Sequence, residues 1–122
     1  MNVKQFVNRY LESVDHLRTV LLLHGSPQAE WDATDVGTKL YLPPAVAAVV
    51  LARLEANGLV ASHGEPRRYQ YRPESPELAD QVEQVVALDR ERPVTLIHMV
   101  YDRPKDIRAF ADAFKLRKDK ET

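Results

Sequence analysis

Three arginines whose side chains suit phosphate binding lie close together in the middle of the chain. Arg67, Arg68 and Arg72 share one short stretch with two tyrosines. A guanidinium donates paired hydrogen bonds to phosphate oxygens, so this grouping indicates an anionic partner. The same residues would also suit an edge strand that charge protects from pairing with other chains. The elements around them, described below, favour phosphate contact.

The residues that usually carry catalysis or bind metals show no comparable grouping. The chain has no cysteine, which excludes disulfides, thiolate zinc sites, iron–sulfur sites and cysteine nucleophiles. The histidines are scattered, and no two have the spacing of a helical metal site: His16, His24, His63 and His98. The glycines form no phosphate-binding loop, and no nucleophile motif is visible. We therefore predict a protein that is not an enzyme and that uses no metal or cofactor.

Length and charge bound the class of protein. The chain has 122 residues and a formal net charge of -1, with 44% hydrophobic and 29% charged residues. This is the size of one domain with a real core, and the charge balance excludes a nucleic-acid binder that acts through overall charge alone. Apolar runs at 20–23 and 45–52 are too short to span a membrane, and no secretory signal is visible. We expect one soluble, cytoplasmic domain over 1–122.

Periodic apolar residues predict helices in the first half of the chain. The predicted helices cover 3–24, 33–40 and 44–56. Ser13 is a suitable N-cap inside the first of them, so two shorter helices are also compatible with this stretch. Asp32 is a candidate N-cap for the second helix.

The period changes from helical to alternating after the third helix. Strands are predicted over 59–62 and 67–72, around a turn at 63–66, and together they form a β-hairpin with a basic rim. Trp31 could add a very short third strand. Its indole is predicted to belong to the core. A pocket for a small-molecule effector is the less favoured interpretation, which no other residue supports.

Helices are predicted again after the hairpin. One covers 75–91, where a serine, a proline and a glutamate make a typical N-terminus. The apolar stretch 94–101 is compatible with a strand or a buried helix, and we favour a helix because no sheet is available for it to join. A last helix begins at Pro104.

The stretch 51–72 carries a family resemblance. It reads LARLEANGLVASHGEPRRYQYR. It resembles the part of MarR-like and ArsR-like regulators in which the recognition helix ends in Leu-Glu and Gly-Leu and the wing strands follow. The resemblance implies a winged helix-turn-helix over 13–74, with helical extensions over 1–12 and 75–122. The predicted fold class is mostly α with a small β-hairpin wing, an α+β arrangement.

The resembling pattern also has a physical reason. Leu54 holds the helix on the core, Gly58 permits a sharp exit, and Leu59 enters the core again as the first wing strand begins. Tyr69 or Tyr71 then covers that core from the second strand.

The resemblance implies double-stranded DNA as the partner and transcriptional regulation as the function. In that family the third helix enters the major groove, and the wing contacts phosphates or the minor groove. Carried over by position, the candidate DNA-binding residues are Lys39, Pro44, Ala45, Ala48, Val49, Ala52, Arg53, Arg67, Arg68 and Arg72.

The predicted recognition helix departs from the usual chemistry of base reading. Only Arg53 among its groove-facing residues can hydrogen-bond a base edge, since alanine and valine offer only contact with thymine methyl groups. Over 30–72 the basic and acidic residues are equal in number and cancel. The face therefore has three open interpretations: a DNA reader of low polarity, a surface covered by the added helices, or a protein-docking patch. The alternative function is a winged-helix protein-interaction module that does not bind DNA specifically.

Apolar residues near the C-terminus predict a homodimer. The stripe formed by Ile107, Phe110 and Phe114, together with 94–101, has no evident partner within one short winged helix. We expect the dimer contacts to come from the C-terminal helices, with the N-terminal helix as a further contributor.

Overall fold

The computed structural model of the chain describes residues 1–102, which form six helices and one hairpin. The elements are α1 (Val3–Tyr10), α2 (Val14–Gly25), α3 (Ala33–Leu40), α4 (Pro44–Ala56), β1 (Val60–His63), β2 (Arg68–Tyr71), α5 (Pro76–Glu91) and α6 (Pro93–Tyr101). The predicted fold class, mostly α with a small β-hairpin, is confirmed. The helix predicted from Pro104, with its apolar stripe, lies outside the described residues.

Side-chain caps set where several helices begin. The Ser13 hydroxyl accepts a hydrogen bond from the backbone N–H of His16, so α1 and α2 are separate helices rather than one. Asp32 and Asp35 cap the first turn of α3 reciprocally, with backbone-to-carboxylate distances of 2.8 and 3.3 Å. Each cap satisfies an amide that the helix itself leaves without a partner.

A tight turn joins α3 to α4. The two helices are bent by 110° across residues 41–43, within the range of a helix-turn-helix. The backbone N–H of Leu42 donates to the Gly37 carbonyl at 2.9 Å, and Tyr41 adopts left-handed geometry with φ of 60°. A Cβ on Gly37 would lie 2.5 Å from the Leu42 carbonyl oxygen, so the turn needs a glycine there.

The hairpin packs its base on the core. Its strands are antiparallel, with Val60 opposite Tyr71, and Gly58 leads into them at φ of +79°. Leu59 and Tyr69 are buried. Trp31 adds an isolated bridge beside Tyr69, in which each backbone N–H donates to the other carbonyl at 2.8 Å. The predicted short third strand is therefore present as a single bridge.

The end helices pack together within one chain. α6 is a helix, as favoured, and it buries Leu96 and Val100 against α1 and α5. The expectation that 94–101 has no partner within the chain is wrong, because the apolar side of α1 covers this face. Two apolar residues of α6 stay outside that contact: Val94 is 68% exposed and Tyr101 is 65% exposed.

Within residues 1–102, no single helix is both long enough and apolar enough to cross a bilayer. The bent pair α3–α4 meets the length and composition criteria only when its two helices are taken together.

Candidate nucleic-acid interface

One side of α4 is exposed and almost entirely apolar. Ala47, Val50, Leu51 and Leu54 are buried and hold the helix on the core. The predicted groove-facing residues all lie on the exposed side, which we call the α4 face: Pro44, Ala45, Ala48, Val49, Ala52 and Arg53. Val49, the largest apolar side chain on this face, is 68% exposed. The face is therefore free to contact a partner without any change in the core.

Two further residues flank the start of α4. Lys39 is exposed on α3, one of the positions predicted from the family resemblance. Tyr41 is 90% exposed in the turn, and no pattern in the sequence singles it out. It combines a left-handed backbone, with φ of 60°, and an exposed ring.

The α4 face has one cation, and it is paired. The Arg53 Nε lies 3.4 Å from the Glu12 carboxylate, which belongs to the turn between α1 and α2. Both side chains are partly exposed, so this pair is of the kind that contributes little to stability. The pair nevertheless places an acid beside the residue predicted to read bases.

The wing arginines fall into two groups. Arg68 and Arg72 are exposed, and within residues 1–102 neither one makes an ion pair. Arg67 is different, because its Nη1 donates to the Ser62 hydroxyl at 2.9 Å and lies 3.9 Å from a Glu55 oxygen. The three guanidinium groups predicted to act together therefore differ in their local charge.

Glu55 lies at the end of α4 and contacts strand β1 and the turn of the wing. One carboxylate oxygen accepts from the Ser62 backbone N–H at 3.0 Å and from the Ser62 hydroxyl. Burial, and then the negative charge of Glu55, raise the pKa of the Tyr69 phenol, while Arg67 acts in the opposite direction. Glu55, Ser62 and Arg67 form a connected group, which we call the Glu55 cluster.

Two histidine–carboxylate contacts lie around the wing. His24 Nε2 and Glu83 Oε2 are 2.7 Å apart, which joins α2 to α5, and the His24 ring meets Tyr71 edge-on at 5.2 Å between centroids. His63 Nε2 and Glu30 Oε2 are 3.1 Å apart at the far end of β1. Within residues 1–102, no three His, Asp or Glu side chains are grouped so that they could hold a metal ion.

The ionisation of Tyr71 is expected to lower the stability of the protein at alkaline pH. Burial, and then the Glu83 carboxylate, raise the pKa of Tyr71 to about 12 from the usual tyrosine value of 10.0. A raised pKa in the folded state means that the contribution is complete below pH 10 and is lost as pH rises toward 12. We expect Tyr71→Phe to flatten this part of the pH dependence, measured as the urea midpoint between pH 9 and 11.5. Tyr41→Phe, at an exposed ring, is the control and should behave as wild type.

Trp31 covers the core and borders a shallow depression. Its indole is half-buried against the core, which agrees with the prediction, and its Nε1 is buried with no hydrogen-bond partner among residues 1–102. The depression beside it has a volume of about 300 Å³, and Asp35 and Lys39 contribute to its lining. This surface is open, so the effector pocket stays a prediction that the structure does not test.

The fold matches solved structures of winged-helix regulators. MepR, described as a transcription regulator of the Staphylococcus aureus multidrug efflux pump MepA, aligns over 96% of this chain and 86% of its own, with a TM-score of 0.57 and 15% identity. A MarR family protein from Bacillus stearothermophilus aligns over 98% and 83%, with a TM-score of 0.53 and 17% identity. A mutant of the S. aureus MepR bound to an oligodeoxyribonucleotide aligns over 96% and 88%, also with a TM-score of 0.53 and 17% identity.

These matches bear on the fold. The chain has the winged-helix fold of MarR-family regulators, as the resemblance in 51–72 predicts. It matches no protein-family model and no curated protein sequence.

Proposed function

We propose that this protein is a transcriptional regulator that binds double-stranded DNA as a homodimer in the cytoplasm. The observation that carries the proposal is a helix-turn-helix whose second helix, α4, has an exposed face beside a wing in which Arg68 and Arg72 make no ion pair with any of residues 1–102. A structure with the same fold, the MepR mutant, is bound to an oligodeoxyribonucleotide. The proposed function is not enzymatic.

The α4 face contacts the bases, and the cations around it contact the phosphates. α4 lies in the major groove, where Ala45, Ala48 and Val49 contact thymine methyl groups. Such a helix discriminates few bases directly, so part of the specificity comes from the shape and deformability of the DNA. Lys39, Arg68 and Arg72 contact phosphates and supply the electrostatic part of the affinity.

The homodimer part of the proposal rests on the exposed apolar residues of α6. Val94 and Tyr101 are exposed on the face formed by the end helices, within the region predicted to dimerise. Two copies also double the number of phosphate contacts that Lys39, Arg68 and Arg72 can make. Sedimentation equilibrium of the full chain tests this part directly. A monomer at micromolar concentration would contradict it.

The first experiment is selection of bound fragments from genomic DNA by the full chain, at two salt concentrations. Recovery of one short, nearly palindromic site would support a dimeric regulator. Recovery of no DNA at low salt would overturn the proposal.

Arg68→Gln with Arg72→Gln is expected to weaken binding to every sequence alike. Each lost phosphate contact lowers the slope of log affinity against log salt by about 0.9, or about 1.8 per chain for both. Affinity at low salt should fall at least about tenfold. Fluorescence anisotropy over a salt series measures both quantities. Lys4→Gln, at an exposed cation on α1, is the matched control and should leave the slope unchanged.

One observation favours the second candidate function, a protein-interaction module. The α4 face is apolar, and two of the cations near it, Arg53 and Arg67, are already paired with acids of the same chain. A surface with low charge and exposed valine suits a protein partner as well as a groove. The substitution pair at Val49 described in the Discussion distinguishes the two functions.

A further inference from the structure

We infer that Glu55 is a positioning residue that joins the recognition helix to the wing and withholds Arg67 from the DNA phosphates. The inference rests on the proposed DNA binding and adds to it a division among the wing arginines. Arg68 and Arg72 bind phosphate, whereas Arg67 is neutralised inside the Glu55 cluster.

The geometry of the Glu55 cluster supports a positioning role. Glu55 lies in the last turn of α4, and Ser62 lies on β1. A single carboxylate oxygen accepts from both the backbone N–H and the hydroxyl of Ser62. Charge-assisted bonds of this kind are shorter and stronger than neutral ones. The strand therefore cannot rotate relative to the helix without breaking both bonds.

The position of Arg67 completes the cluster. Its guanidinium donates to the Ser62 hydroxyl at 2.9 Å and faces the second oxygen of Glu55 at 3.9 Å. Ser62 thus lies between the acid and the arginine, in contact with both. Arg68, the next residue along the chain, has no acid within ion-pair distance among residues 1–102. The two neighbouring arginines are a natural matched pair for a test.

The electrostatic consequence is measurable. A cation releases counterions from DNA when it neutralises a phosphate, and that release sets the salt dependence of binding. Arg67 is already close to a carboxylate, so its transfer to a phosphate would leave Glu55 uncompensated near the polyanion. We therefore expect Arg67 to contribute nothing to the salt slope of the wild-type protein.

The test compares salt slopes of four full-length variants. Arg67→Gln should leave the slope as in wild type, and Arg68→Gln should lower it by about 0.9 per chain. Glu55→Gln keeps the side-chain size and an acceptor oxygen, but it frees Arg67, so its slope should steepen by about 0.9 per chain. Glu55→Gln with Arg67→Gln should return to the wild-type slope. Equal losses for Arg67→Gln and Arg68→Gln would overturn the inference without affecting the proposed function.

The bond between Glu55 and Ser62 can also be tested in the absence of DNA. Hydrogen exchange of the Ser62 amide, observed by NMR, reports the bond to Glu55. Exchange should accelerate at least about tenfold in Glu55→Gln and stay as in wild type in Arg68→Gln, since a charge-assisted bond is replaced by a neutral one. Unchanged exchange in Glu55→Gln would overturn the positioning role. Loss of all DNA binding by the wild-type protein at low salt would overturn the proposed function instead.

Discussion

Val49→Glu is expected to reduce DNA affinity about 100-fold, whereas Val49→Arg at the same position is expected to retain or increase it. Val49 is 68% exposed on the α4 face, so neither substitution disturbs the core. A carboxylate brought into the major groove meets phosphates and base acceptors of the same sign, at a cost of several kcal/mol, and about 1.4 kcal/mol corresponds to a tenfold change in affinity. A guanidinium at the same position is instead attracted by the phosphates and base acceptors.

The sign of the two effects separates DNA binding from protein docking. If α4 docks a protein through apolar contact, both charged substitutions should weaken that complex. Fluorescence anisotropy with the selected DNA site measures DNA binding by the two variants. The unfolding midpoints of both variants control for changes in stability. Equal loss of DNA binding by Val49→Glu and Val49→Arg would show that contact area, rather than charge, governs this face.

Local sequence signals were sufficient for most of the fold. Ser13, Asp32 and Ser75 cap helices through atoms only three residues away, and short-range geometry of this kind is visible in a sequence. The alternation over 59–72 predicted the hairpin for the same reason. Gly58 adopts the left-handed conformation that glycine favours, so the end of α4 was also visible from a single residue type.

The pairing of charges was not predictable in the same way. Counting residues over 30–72 treats all arginines alike. The structure distinguishes Arg67, paired with Glu55, from Arg68, which is unpaired among residues 1–102. The Arg53–Glu12 pair joins elements far apart in the chain. Such contacts depend on how whole helices pack, and no periodicity encodes them.

The surface that covers the apolar stretch 94–101 could not be predicted, for a related reason. Amphipathic pattern shows that Leu96 and Val100 need a partner surface, but not which surface supplies it. The sequence predicts α1 as an extension of the fold, whereas its buried Phe6 and Val7 belong to the same hydrophobic core as Leu96 and Val100. Part of the segment predicted to join two copies is therefore buried within a single copy. Val94 and Tyr101 are the residues of this segment that stay exposed and apolar.

Gly37→Ala is expected to destabilise the protein by about 2 kcal/mol, because an added methyl group has no room beside the turn. Its Cβ would lie 2.5 Å from the Leu42 carbonyl oxygen and 3.6 Å from the Pro44 nitrogen. Both atoms are backbone, so relief requires α3 and α4 to move apart rather than one side chain to rotate. That movement would change the angle at which α4 presents its face.

Gly25→Ala is the matched control, because it makes the same chemical change at a helical glycine where, in the described part of the chain, nothing lies within 4 Å of the added Cβ. Alanine has the higher helix propensity, so this variant should be neutral or more stable by up to about 1 kcal/mol. Urea unfolding of the two variants measures the difference in free energy. DNA binding, measured well below the unfolding midpoint, should be weakened further in Gly37→Ala alone. Two variants of equal stability and affinity would mean that the turn between α3 and α4 adjusts freely, and that its geometry does not determine how the α4 face meets DNA.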